Sequence, residues 1–276
     1  MKHQEFEQRI EKYLKRQFGI TITAASKRQV YEALMSTVRE KLSEKKFAYE
    51  QELKKTKQKR AYYMSMEFLV GRTLRNNLFN LGIEKETKEY LEKNNFNLDE
   101  IYDIEPDPGL GNGGLGRLAS CYLDALTSSD YPVTGFSILY EYGIFKQVIN
   151  NGWQQEFPDY WLDLGKYGLV YRNDEEIEVR FYGHVEEKMT EDGFKVEHKD
   201  YTSIQAEPYD LLISGYKTKT VNTLRLWEAK AKTGFNMKLF ERGEYSKSSE
   251  AEAIASSISK LLYPADSTND GKELRI

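Results

Sequence analysis

The residues of this chain best suited to chemistry run from Asp107 through Pro108-Gly109-Leu110-Gly111-Asn112-Gly113-Gly114-Leu115-Gly116-Arg117-Leu118 to Ala119. Glycines and one asparagine crowd a loop that leads into an amphipathic helix. Leu118, Tyr122, Ala125 and Leu126 fall at i, i+4, i+7 and i+8, which predicts one apolar helix face. A glycine-rich loop at a helix start offers bare backbone N–H groups and the positive end of the helix dipole. That arrangement suits an anion, phosphate above all. Glycine permits close approach and, where the backbone demands it, a positive φ. The alternative is a tight turn with no ligand.

The spacing alone is not specific. Gly109-x-Gly111-x-x-Gly114 and Gly111-x-Gly113-x-x-Gly116 both satisfy the dinucleotide fingerprint. That fingerprint needs a buried strand just before the glycines. Here Leu98 to Pro108 is acidic and carries Pro106 and Pro108, so it reads as loop. A nicotinamide-dependent oxidoreductase is therefore disfavoured.

The elements that hold this loop follow from the pattern along the chain. Phe6, Ile10, Tyr13 and Leu14 form one helical stripe, and Val30, Leu34, Val38 and Leu42 a second. They predict a helical hairpin turning near Thr21 to Ala25. Ala61 to Phe68 reads as a short core strand that includes Glu67. Gly71 to Leu81 and Lys85 to Lys93 read as helices, and Pro132 to Leu139 as a strand. Strand, glycine loop, helix, strand implies an α/β fold with a parallel core. From Gly152 the pattern changes, with Trp153, Phe157, Tyr160 and Trp161 grouped among acidic residues. Glu176 to Val185 and Phe194 to Thr202 predict antiparallel strands joined across Glu191-Asp192-Gly193. Val221 to Ala229 predicts another strand. Ile254, Ile258, Leu261 and Leu262 predict a last helix face, stopped by Pro264.

Composition narrows the function classes. With 276 residues, 39% hydrophobic and 30% charged, the chain has the balance of one large or two ordinary globular domains. A net charge of -4 supplies no basic field for nucleic acid. The basic run Lys54 to Arg60 has no interleaved aromatic residue and reads as a solvated helix end. The single Cys121 excludes an internal disulfide, suits a reducing compartment and is expected beside the helix core. His3, His184 and His198 lack metal-ligand spacing, so no metal site is expected; His184 falls on the polar face of its strand. No apolar run reaches membrane-spanning length and the N-terminus lacks a signal-peptide core, so a cytoplasmic chain without membrane partners is expected.

Longer blocks carry a resemblance. Tyr62-Tyr-Met-Ser-Met-Glu-Phe-Leu-Val-Gly-Arg-Thr-Leu74 resembles the first signature of the α-glucan phosphorylases, the glycogen, starch and maltodextrin phosphorylases. Gly109 to Ala119 is similar to that family's glycine loop. Tyr140-Glu-Tyr-Gly-Ile-Phe-Lys-Gln147, Asn151-Gly-Trp-Gln154, Val221-Asn-Thr-Leu-Arg-Leu-Trp227, Tyr263-Pro-Ala-Asp266 and Gly271-Lys-Glu-Leu-Arg275 match further blocks in the same order. The resemblance covers nearly the whole chain. Several blocks in one order are far more specific than a lone glycine motif.

The resemblance implies the N-terminal portion of a GT-B type fold. It also implies a glycosyltransferase that cleaves terminal α-1,4-glucosidic bonds with inorganic phosphate to give glucose 1-phosphate. The implied cofactor is pyridoxal phosphate, whose phosphate takes part in proton transfer. By position, Gly113, Gly114 and Leu115 line the phosphate and sugar site, Glu67 stands in its wall, and Asn112 and Arg117 flank the cofactor side. Asp266 lies on a gating segment, where Ser267 replaces the asparagine of many relatives. The lysine that bonds the cofactor lies in a C-terminal domain absent from this chain, so the piece is expected to be inactive alone. The expected organisation is one incomplete domain, helical over 1–60, an α/β core over 61–150, and β-rich with a final helix over 151–276. Residues Ser246 to Tyr263 resemble the helix that reaches a partner in the family's homodimer. A non-catalytic α-glucan-binding module is the second reading; the tyrosines would permit sugar stacking.

Overall fold

The two apolar stripes at the N-terminus form the helices they predict. In this computed structural model, which describes residues 3–232, 234–263, 267–269 and 272, α1 is His3–Phe18 and α2 is Lys27–Thr56. Phe6, Ile10 and Leu14 face Val30, Leu34, Val38 and Leu42 in one buried cluster. The start of α2 is fixed by a capping box. Gln29 N donates to the Ser26 side chain at 3.3 Å, and Ser26 N donates to Gln29 Oε1 at 2.8 Å. Lys57 ends α2 in the left-handed region at φ 50°. The basic run after it is solvated, as expected.

Next come β1 (Ala61–Met64), α3 (Leu74–Leu81), α4 (Glu84–Lys93), α5 (Leu98–Tyr102), α6 (Gly114–Ser128) and β2 (Val133–Ile138). β1 pairs β2 in parallel, Ala61 opposite Val133, so α3 to α6 form the crossover that a parallel pair needs. The strand expected over Ala61 to Phe68 is shorter and is not core. Among the described residues β1 has a neighbour on one side only, and Tyr62 and Met64 are 67% and 82% exposed. Burial begins after it, at Glu67 and Phe68. The acidic stretch before the glycines is no strand, as expected, although it holds the short α5.

The remaining strands are β3 (Lys146–Asn150), β4 (Trp153–Phe157), β5 (Leu169–Tyr171), β6 (Ile177–Phe181), β7 (His184–Thr190), β8 (Gly193–Lys199), β9 (Thr202–Ser214) and β10 (Val221–Ala231). The remaining helices are α7 (Leu162–Gly165), α8 (Met237–Glu241), α9 (Tyr245–Ser248) and α10 (Glu250–Ser257), with short 3-10 turns at Ile22–Ala24, Lys166–Gly168 and Asn173–Glu175. The main sheet runs β1-β2-β10-β9-β5, with β6 also on β9. β10 is parallel to β2 and antiparallel to β9. The sheet is thus parallel on one side and antiparallel on the other, a mixed α/β arrangement.

Several expectations change. The run Glu176 to Val185 is two strands, because Tyr182 and Gly183 both take positive φ, 62° and 74°. β6 then pairs β9, while β7 pairs β8 across Glu191 and Asp192. Of the aromatic group after Gly152, only Trp161 is buried; its ring N–H donates to Tyr140 O at 3.0 Å. The last helix face is different too. Ala255 and Leu262 are buried, Ile258 is partly buried, and Ile254 is 58% exposed. Pro264 lies outside the described residues.

Candidate anion site at the start of helix α6

A helix start leaves its first N–H groups without intrahelical partners. The protein treats two such starts in opposite ways. At α3, the buried Glu105 carboxylate accepts Thr73 N at 2.6 Å and Leu74 N at 3.0 Å, so the protein's own anion fills the position. At α6 the N-cap is Gly113, with no side-chain cap. The first helical bond is Arg117 N to Gly113 O at 3.0 Å. Among the described residues, the N–H groups of Gly114 and Leu115 have no partner, and both residues are exposed.

Glu67 holds the loop in this posture. It is 3% exposed, and its Oε2 accepts Asn112 N at 3.0 Å and Gly113 N at 3.4 Å. Its Oε1 accepts the Tyr263 hydroxyl. Among the described residues no cation pairs with it, and its partners are hydrogen-bond donors. Backbone bonds lock the same segment to the loop: Phe68 N to Leu110 O and Leu69 N to Gly116 O, both 2.9 Å. Tyr140 adds its hydroxyl to Met66 O at 2.9 Å.

The glycines divide by what surrounds them. A Cβ at Gly109 would lie 2.6 Å from Gly143 Cα, at Gly111 2.8 Å from Leu69 N, and at Gly116 2.9 Å from Glu67 Cβ. These three are packing glycines. Gly113 and Gly114 open onto free space, and none of the five has positive φ, so none is required by its backbone conformation.

The apolar face expected on α6 is turned outward. Leu118 and Tyr122 are 47% and 49% exposed, while Gly116, Ala119, Ser120, Leu123 and Thr127 are buried. Small residues lie inward because the 66–69 segment passes so close. Cys121, expected in the core, is exposed.

The structure brings Glu67, Asn112, Gly113, Gly114 and Leu115 together. Arg117 lines a neighbouring cleft between α3 and α6. Ser267 is exposed, and Asp266 lies outside the described residues. Sequence reasoning passed over Tyr263 and Tyr140 as partners of this segment. Tyr263 stands at the head of a quoted block, which was its only signal. No described group of acids, histidines or cysteines could hold a metal, and no described helix is long and apolar enough to cross a membrane.

The fold is an α/β chain with an uncapped, glycine-led helix start at α6, without the strand that a dinucleotide loop requires. The carbohydrate phosphorylase family profile matches residues 91–276. A glycogen phosphorylase of Chlamydia pneumoniae is 42% identical over 254 residues, which is 92% of this chain and 31% of the relative. The human muscle form of glycogen phosphorylase is 42% identical over 91% of this chain and 30% of its own length. The brain form from Mus musculus is 43% identical over 91% and 29%. The chain belongs to the carbohydrate phosphorylase family, and it spans under a third of the length of these relatives.

Proposed function

We propose that this chain supplies one wall of an α-1,4-glucan phosphorylase of GT-B type, which releases glucose 1-phosphate from glycogen, starch or maltodextrin with inorganic phosphate. The observation that carries the reading is the pair of free N–H groups on Gly114 and Leu115, held open by Glu67. Preorganised backbone dipoles stabilise developing charge without reorganising. Phosphorolysis further needs water kept from the sugar, which a second wall closing over the exposed loop would do. In this reading Gly113, Gly114 and Leu115 line the phosphate and sugar, Glu67 fixes the loop, and Asn112 and Arg117 flank it. Asp266 and Ser267 belong to the gating segment.

Such an enzyme takes pyridoxal phosphate, but the described residues do not fit its attachment. Lys46, whose pKa burial pushes down, is engaged by Thr223 and lies 4.0 Å from Asp210 inside the interface of α2 with the sheet. The bonding lysine then belongs to the other two thirds of the enzyme, and residues 1–276 alone are inactive. The exposed Ile254 suits a homodimer contact in the region Ser246 to Tyr263, and the low cysteine count suits the cytoplasm.

The test joins this chain to the remaining part of the Chlamydia pneumoniae relative and assays glucose 1-phosphate from maltodextrin and phosphate. The joined protein should turn over and residues 1–276 should not. Gly114→Ala should lower kcat/KM for phosphate at least about tenfold, or 1.4 kcal/mol. Its Cβ has no protein neighbour within 4 Å, so the fold should be unaffected. A folded, cofactor-loaded hybrid without phosphorolysis would overturn the function, and one indifferent to Gly114→Ala would overturn the site.

A further inference from the structure

A second cleft, of about 280 Å³, lies between α3, α6 and the end of β9. Its α6 side is the stripe Arg117, Ser120, Cys121 and Asp124, at i, i+3, i+4 and i+7. This helix buries Ala119 and Leu123 in the core, turns Leu118 and Tyr122 toward solvent, and presents a polar stripe to the cleft, which Leu123 also lines. Arg72 and Asn76, in and just before the first turn of α3, form the facing wall.

Two groups here are left without the partners that folding usually supplies. Ser120 is 8% exposed, and its Oγ is buried with no hydrogen-bond partner. A helical serine ordinarily bonds the carbonyl four residues back. Here that carbonyl, Gly116 O, already accepts Leu69 N at 2.9 Å. A buried unsatisfied hydroxyl costs about 1–3 kcal/mol. Among the described residues, Arg117 makes no ion pair or side-chain hydrogen bond. Its neighbour Arg72 pairs with Asp103 at 3.2 Å but is still open to the cleft.

We infer that this cleft binds a small hydroxylated organic anion, carrying one phosphate or carboxylate. Arg117 takes the charged group, Ser120 Oγ and the Asn76 amide take hydroxyls, and the anion replaces the missing partner of Arg117. The volume admits a molecule of a few carbons, below the usual drug-sized pocket of about 300–1,000 Å³. The cleft shares Arg117 with the flank of the glycine loop, but neither Gly114 nor Leu115 lines it, and the inference does not rest on the reading proposed for their N–H groups.

Cys121 gives the cleft a built-in reporter, since it is exposed and the chain has 1 cysteine. The experiment measures the rate of Cys121 alkylation by iodoacetamide, a neutral reagent, on the full chain. Glycerol 3-phosphate and glycerate are the two probes, and potassium chloride at matched ionic strength is the control. At about 10 mM, a probe with a dissociation constant near 5 mM slows alkylation about threefold. Slowing by glycerol 3-phosphate identifies a phosphate ligand, and slowing by glycerate a carboxylate ligand. Arg117→Gln should abolish the slowing and Ser120→Ala should weaken it, whereas Gly114→Ala should leave it intact. Unchanged rates with both probes, or equal slowing by potassium chloride, would overturn the inference. Loss of protection in Gly114→Ala would instead merge this site with the glycine loop and overturn its independence.

Discussion

Gly111 and Gly113 stand two residues apart, yet a methyl group added at each meets different surroundings. At Gly111 it would press 2.8 Å from Leu69 N, a backbone atom that cannot turn away. At Gly113 it meets nothing within 4 Å, and φ is an extended −146° that any residue adopts. Gly111→Ala should therefore cost about 1–3 kcal/mol, as overpacking does. Gly113→Ala should change stability by no more than about 0.5 kcal/mol. Urea unfolding of both variants checks this, and equal losses would show that loop strain rather than the Leu69 contact decides. The spacing of the glycines was legible in the sequence. Which of them pack and which stay open was not, since that depends on the 66–69 segment lying some 45 residues away, as the Glu67 bond to Asn112 does.

Helix α3 owes its entry to one carboxylate. Glu105 is 4% exposed and accepts N–H bonds from Thr73 and Leu74. Burial still outweighs those bonds and pushes its pKa above the ordinary 4.5. The folded state thus holds the Glu105 proton more tightly than the unfolded chain does. Its contribution to stability is full below the unfolded pKa and is lost as pH rises through the folded one. Glu105→Gln should remove that falling segment. Wild type minus variant stability should drop as pH rises from 4.5 upward, then level off. Denaturation midpoints across that range measure it, and a difference flat with pH would mean that folding leaves the Glu105 pKa unshifted. At this scale the helical stripes of α1 and α2 were legible because each repeats at helical spacing over several turns and the two face each other in one cluster. α6 was misread because two layers compete for it, the close 66–69 segment on one side and solvent on the other. β9 went unread because Pro208 and its charged neighbours break the alternation, while pairing with β10, β5 and β6 supplies the missing order.

The molecule as a whole exposes strand surface that monomeric proteins usually cover. β1 is an edge with Tyr62 and Met64 67% and 82% exposed. The β7–β8 hairpin adds Met189 at 81% and Phe194 at 59%. Concentration-dependent association through these edges is the expected behaviour of the isolated chain. Met64→Lys should lower light scattering at a given concentration without a loss of unfolding free energy, because the side chain is already in solvent. Unaltered scattering would place the sticky surface elsewhere, with the hairpin next to be tested.

The bond from Tyr263 to Glu67 joins residues 196 positions apart. Its assembly therefore has a timetable set by translation. When the ribosome has released Tyr140, the glycine loop, α6 and the segment around Glu67 are all available to pack. The tyrosine that completes the carboxylate's bonds is added 123 residues later. At about 5–20 residues per second, that is a wait of roughly 6–25 s. Throughout that interval the nascent loop exists with its lock unfinished, so the N-terminal end of α6 is the last part of its neighbourhood to be secured.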